Sequence, residues 1–188
     1  MSSPSLYHQS DTRIQSELRI IEKSKKNPNH FAPLYEQYHE NIFRYIVKRV
    51  DDVEAAYDIT SNVFVKALTN LHKYEFRGVP FSSWLFRIAK SELYQSFRDK
   101  KARRTVSIDK VIVADIFEEF EESCNEERKS ELMQALRKIN EKDLALIELR
   151  YFEKRSYREI GEILSVTENN AKVKTFRALQ RLKKVYLK

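Results

Sequence analysis

Residues 156–184 read SYREIGEILSVTENNAKVKTFRALQRLKK, and this stretch decides the class of the fold. Ser156 followed three residues later by Glu159 has the form of a capping box, in which the serine oxygen and the glutamate side chain satisfy exposed backbone amides and start a helix. Ile160, Ile163 and Leu164 give that helix an apolar seam, Ser165 and Val166 make a turn, and Thr167 is placed to cap a second helix. In the second helix Ala171, Thr175, Ala178 and Leu182 recur at steps of three and four, so that face packs inward. The spacing is that of a helix-turn-helix. The opposite face carries Asn169, Asn170, Lys172, Lys174, Arg177 and Arg181, side chains suited to phosphates and base edges, near a helix start whose amides also attract phosphate. An ordinary solvated helix shares the period, but it usually mixes signs to gain spaced ion pairs. No acid follows Glu168 in this stretch.

The remaining composition agrees with helices throughout. Among 188 residues, 2 glycines and 4 prolines are too few for the turns of a sheet-rich fold, so the chain reads as all-α. A net charge of +7 favours a polyanionic partner. The single cysteine, Cys124, excludes an internal disulfide framework, and no apolar run approaches the roughly 20 residues that span a bilayer. MSSPSLYHQSDTR, at residues 1–13, lacks the apolar core of a secretory leader. The expectation is a cytoplasmic protein without membrane insertion. His8, His30, His39 and His72 are scattered, and there is neither a phosphate-cradling glycine loop nor a metal-ligand cluster. Neither an enzyme nor a cofactor is expected.

Working back from the opening stretch, residues 131–188 form one small helical domain, with further helices around Leu132, Leu136 and Ile139 and around Leu144, Ile147 and Tyr151. Residues 105–130 are acidic, with Glu118, Glu119, Glu121 and Glu122 close together, and read as a flexible linker. Its acids either keep it solvated or compete with nucleic acid for the basic stretches on both sides.

Residues 28–104 form the other helical domain. One helix carries Phe31, Leu34, Tyr35, Tyr38, Ile42, Tyr45 and Ile46 on its apolar face and breaks at Val50-Asp51-Asp52. A second runs through Ile59, Val63, Phe64, Ala67, Leu68 and Leu71 and ends before Arg77-Gly78-Val79-Pro80. A third, from about 82 to 101, turns Phe81, Leu85, Ile88, Ala89, Leu93 and Phe97 inward and Arg87, Lys90, Ser91, Tyr94, Arg98 and Lys101 outward. Basic side chains track a nucleic-acid backbone, and Phe76, Trp84 and Tyr94 are of the types that stack on unpaired bases. Residues 1–27 are an N-terminal extension containing a weak helix.

With these motifs in order, the chain resembles an RNA polymerase sigma factor of the extracytoplasmic-function (ECF) type, in the sigma-70 family. DITSNVFVKAL at 58–68 is similar to the family's polymerase-docking helix, FSSWLFRIAKSELYQSFR at 81–98 to its promoter-melting helix, and the opening stretch to its terminal helix-turn-helix. The resemblance implies an alternative sigma factor that binds core RNA polymerase and directs initiation at promoters, reading their downstream (minus-ten) and upstream (minus-thirty-five) elements. It implies that Asp58, Ser61, Asn62 and Val65 meet the clamp helices of the largest subunit, and that the polymerase flap is a further contact. Arg87, Lys90, Ser91, Tyr94, Arg98 and Lys101 would face the downstream element, residues 76–83 would receive an unpaired base, and Thr167, Asn169, Asn170, Lys172, Lys174, Arg177 and Arg181 would face the upstream element. An inhibitory anti-sigma factor is a common partner in the family. Gly161 stands where the family commonly has alanine and Ser165 where it commonly has glycine, so the turn is expected to be adjusted or strained. The alternative is a helix-turn-helix regulator that binds duplex DNA independently of polymerase.

Overall fold

The computed structural model describes residues 11–99, 101–105, 110–120 and 126–187. They fall into two compact units, Met1–Thr105 and Val106–Lys188. Among the described residues the regular structure is helical, joined by one isolated antiparallel bridge between Val50 and Arg104.

The first unit contains α1 (Asp11–Lys26), α2 (Ala32–Val47), α3 (Val53–Asn70) and α4 (Phe81–Arg98). Its core is where the apolar periods of α2, α3 and α4 meet: Leu34, Ile42 and Ile46 with Val63 and Ala67, and Phe81, Leu85 and Ala89, all fully buried. The break at Val50-Asp51-Asp52 works as expected, because the Asp52 carboxylate accepts the Glu54 and Ala55 amides and starts α3. The inner stripe of α4 is rotated from the sequence reading. Phe86 is buried against Tyr45 at 4.9 Å, whereas Ile88 and Phe97 are only half-buried.

Two assignments of residues to domains change. The helix read as part of an N-terminal extension is packed into this unit, with Glu17, Ile21 and Ser24 buried. Likewise, the acidic segment read as a linker contains α5 (Lys110–Phe120), whose Val113, Ile116, Phe117 and Phe120 are buried in the second unit. A helix can bury an apolar seam while solvating acids on its other side, and here the partners that cover the seam come from the far end of the chain. Glu121, Glu122 and Cys124 lie outside the described residues.

The second unit continues with α6 (Glu126–Lys138), α7 (Glu141–Ile147) running into a π-helical turn (Glu148–Phe152), α8 (Tyr157–Leu164) and α9 (Glu168–Tyr186). α5 is held on α9 by Tyr186, whose ring lies 5.7 Å from Phe117 and 5.8 Å from Phe120, and by Lys183, which donates to the Phe120 carbonyl at 2.8 Å. Asp115 pairs with Lys154 on the same side. Burial, reinforced by Glu119, pushes the Tyr151 hydroxyl well above its ordinary range.

The helix-turn-helix is built as its sequence dictates. The Ser156 hydroxyl accepts the Glu159 amide at 3.2 Å and Glu159 accepts the Ser156 amide at 3.0 Å, completing the capping box. At the turn Ser165 adopts left-handed geometry, with φ 57° and ψ 47°. A side chain there strains the backbone by about 1–2 kcal/mol. The tight turn also brings the Val166 carbonyl to 2.8 Å from where a β-carbon on residue 161 would stand, which explains Gly161.

Two stability predictions follow from this unit. Ser165→Gly should raise its stability by about 1 kcal/mol, while Gly161→Ala should lower it; urea denaturation of both variants checks the signs. Arg181 donates to Asp143 through two bonds of 2.5 and 2.6 Å, and these bonds, opposed by burial and aided by Asn140, hold the Asp143 carboxyl below its ordinary range. A depressed carboxylate stabilises the fold above the unfolded value of 3.8 and loses that contribution as pH falls through the lower folded value. Arg181→Met should therefore cost about 1 kcal/mol at neutral pH, the half-exposed guanidinium being partly screened. The gap from the unchanged chain should close as denaturation is measured at pH below 3.8.

Candidate nucleic-acid interface

The outward face of α9 begins at its cap. The Thr167 hydroxyl accepts the Asn170 amide at 3.2 Å and fixes the first turn, from which Asn169, Asn170, Lys172, Lys174 and Arg177 all project as exposed side chains. Ala171, Thr175, Ala178 and Leu182 are buried, as their spacing requires. One member of the expected set also has a partner inside the fold. Arg181 is committed to Asp143 on α7, because its position is turned toward the N-terminal turn of α7, where a carboxylate 5% exposed needs donors.

Two residues escaped the sequence reading. Val173 is 39% exposed and Phe176 62% exposed, on the side of α9 opposite the buried alanines. Their positions, three apart, make them neighbours on the helix surface. The signal was available in the same helical period, but a reading guided by charge passes over apolar residues. An exposed phenylalanine among cations suits the C5-methyl group that thymine presents in the major groove.

On the first unit, Arg87, Ser91, Arg98 and Lys101 are exposed and Lys90 and Tyr94 half-buried. The Tyr94 ring is approached by the Lys90 amine at 5.0 Å and by the Arg104 guanidinium at 5.9 Å. Burial lowers the Lys90 ammonium from its ordinary range. Arg98 donates to Gln95 on its own helix. The segment before α4 is an arch standing on three rings: Tyr74 lies 5.1 Å from Phe81 and 5.3 Å from Trp84, and Phe81 lies 5.4 Å from Trp84. Gly78 supplies the positive φ of 73° that turns the arch, and Phe76 stands 43% exposed on it.

Asp58, Ser61, Asn62 and Val65 are exposed along α3, Val65 at 62%. The first three line a groove of about 400 Å³ with Glu92 and Gln95 of α4 and Asp99 just beyond its end. Lys101, grouped by spacing with the DNA-facing residues, lines this groove too. Beside it on the α2 side runs a row of aromatic rings, Tyr35, His39, Phe43 and Tyr57, at successive centroid distances of 4.7, 6.5 and 4.5 Å. Among the described residues no cluster of side chains could hold a metal ion, and no helix is long and apolar enough to cross a membrane.

Comparison with known proteins places both units. Residues 34–103 match the family described as Sigma-70 region 2, and residues 129–182 match Sigma-70, region 4. The ECF RNA polymerase sigma factor BldN of Streptomyces coelicolor is 27% identical over 168 residues, 88% of this chain and 64% of that one. The chain thus spans less than two thirds of BldN. RNA polymerase sigma factor YlaC of Bacillus subtilis is 32% identical over 163 residues, covering 85% of this chain and 93% of YlaC. In fold, the structure of CnrH in complex with the cytosolic domain of CnrY is similar with a TM-score of 0.61 at 16% identity, over 89% of this chain and 94% of that one. α1 and α5 lie outside both matched segments. With two sigma regions in order on two helical units, the chain belongs to the ECF group of the sigma-70 family of RNA polymerase sigma factors.

Proposed function

We propose that this chain is an alternative sigma factor that acts inside the cell, binds core RNA polymerase and selects promoters by reading two DNA elements. The observation that carries this reading is the placement of two different outward faces on two sigma regions. α9 offers a regular, basic, partly apolar surface that suits the major groove of a duplex, whereas α4 and the arch before it offer aromatics and hydroxyls that suit a separated strand. Opening DNA costs a few kcal/mol per unstacked base. With no nucleotide hydrolysis to draw on, that energy comes from capture of the opened strand, by Tyr94 and Phe76 on the bases and by the α4 cations on the phosphates. Polymerase supplies the chemistry of RNA synthesis and fixes the spacing of the two DNA faces, so two modest contacts act together. The exposed face of α3 with Asp58, Ser61, Asn62 and Val65 is the docking surface for the clamp helices, with the flap as a second contact, and an anti-sigma factor would compete for such surfaces.

The test is transcription from a genomic DNA library with core polymerase plus this chain. Start sites sharing a pair of upstream motifs are the expected outcome, and DNA binding that is equally tight and selective without polymerase would overturn the proposal. At the promoters so found, replacing thymine by deoxyuridine in the upstream element should weaken holoenzyme binding by about fourfold for each methyl buried, from the transfer energy of one methyl group. Val173→Ser and Phe176→Ala should erase that difference. Arg177→Ala should instead lower the salt slope by about one unit, whichever base is present.

A further inference from the structure

α4 starts without a cap of its own. The residue before it is Pro80, which offers no side-chain acceptor; its carbonyl accepts the Ser83 amide at 2.9 Å, and the Phe81 amide needs a partner from elsewhere. The Phe81 amide finds it in Glu17 of α1, 64 positions away in sequence, at 3.0 Å. Glu17 is 3% exposed and its other oxygen accepts from the Tyr38 hydroxyl and, at 3.4 Å, from Gln37. Burial raises the carboxyl above its ordinary range, while Tyr38, the Phe81 amide and nearby Arg13 pull it back.

A second tether runs from the same helix to the other foot of the arch. The Lys25 amine donates to the Tyr74 carbonyl at 3.0 Å and is held in place by Glu22 at 2.8 Å. Glu17 and Lys25 are eight residues apart, about 12 Å along a helix. Residues 74–80 leave the scaffold at one tether and return to it at the other. Between them Phe76 and Arg77 are exposed and Gly78 holds the turn. Neither foot is fixed by a neighbour in sequence alone.

We infer that α1 is part of the strand-opening apparatus, with Glu17 and Lys25 as positioning residues that set the width and tilt of the base-receiving arch and the start of α4. This inference rests on the proposed function, in which the arch receives an unpaired base. α1 precedes the segment that matches Sigma-70 region 2, so the family match assigns it no part. The physical case is one of preorganisation: a loop that must hold a splayed base gains affinity when its shape is fixed before the base arrives. Charged and amide hydrogen bonds at both feet fix it more firmly than apolar packing at one, because a buried donor left without its acceptor costs more than the bond contributes.

The experiment uses the full chain with core polymerase at a promoter from the library selection. Glu17→Met keeps the length and bulk of the side chain and removes its oxygens; Lys25→Met keeps the apolar stem and removes the amine. Permanganate reactivity of unpaired thymines reads opening, transcription from a pre-opened bubble bypasses it, and core binding reads docking. Opening should fall about tenfold for Glu17→Met and roughly threefold for Lys25→Met. The bubble should restore both, core binding should stay unchanged, and Glu17→Gln, which keeps one accepting oxygen, should open DNA like the unchanged chain. Normal opening by both methionine variants overturns the inference. So does a joint loss of core binding, bubble transcription and melting temperature, which would make α1 merely a structural prop. Phe76→Ala separates this from the reading beneath it: if that variant is defective while the α1 variants open normally, only the role of α1 fails. If Phe76→Ala itself opens normally, the base-receiving arch fails and the inference with it.

Discussion

Each unit is organised by a buried carboxylate at the start of a helix. Glu159, 3% exposed, accepts the Ser156 amide and hydroxyl and the Arg155 guanidinium, the last at 3.0 Å, so a charge that would be costly when unpaired is saturated with donors. By fixing the first residue of α8 it fixes the phase of everything after it. One residue of slip would turn Ile160 and Ile163 about 100° out of the core, and with them the turn and the face that α9 presents. Glu17 does the same for α4 from a distance. In both units, then, the phase of a helix is set by a carboxylate that never reaches the surface.

These two carboxylates also explain how much was legible in the sequence. The capping box lies within four residues, and local geometry has one way to satisfy it, so the start of α8, the turn and the buried row from Ala171 to Leu182 could be read directly. The partner of the Phe81 amide could not, since no local rule connects residues 17 and 81, and a proline before a helix signals only that a cap is missing. The same limit hid α5. Acidity is read from composition, whereas burial of Phe117 and Phe120 depends on Tyr186 and Lys183, which are more than 60 positions away.

Charge is similarly divided by tertiary structure. From the sequence, every lysine and arginine on the outer side of α9 is equivalent. In the folded unit Arg181 serves Asp143 and Lys183 serves the end of α5, so among the described residues of α9 the cations turned outward without such duties are Lys172, Lys174 and Arg177 toward the start of the helix and Lys184 near its end. The net charge of +7 therefore overstates the electrostatic attraction that one face can exert. What distinguishes the first half of α9 is the mixture of amides, cations and two apolar side chains over three turns, a surface that can read bases as well as phosphates.

The contact between residue 161 and the Val166 carbonyl ties two positions of the turn into one unit of descent. A chain with alanine at 161 and glycine at 165 would reach Gly161 with Ser165 in two steps, taken in either of two orders. The intermediate with glycine at both positions has no β-carbon to collide and none to strain the turn. The intermediate with alanine and serine has both faults at once. From such a starting point the double glycine is the less burdened intermediate, because one close approach of a backbone oxygen to a missing methyl group penalises any route that keeps alanine at 161.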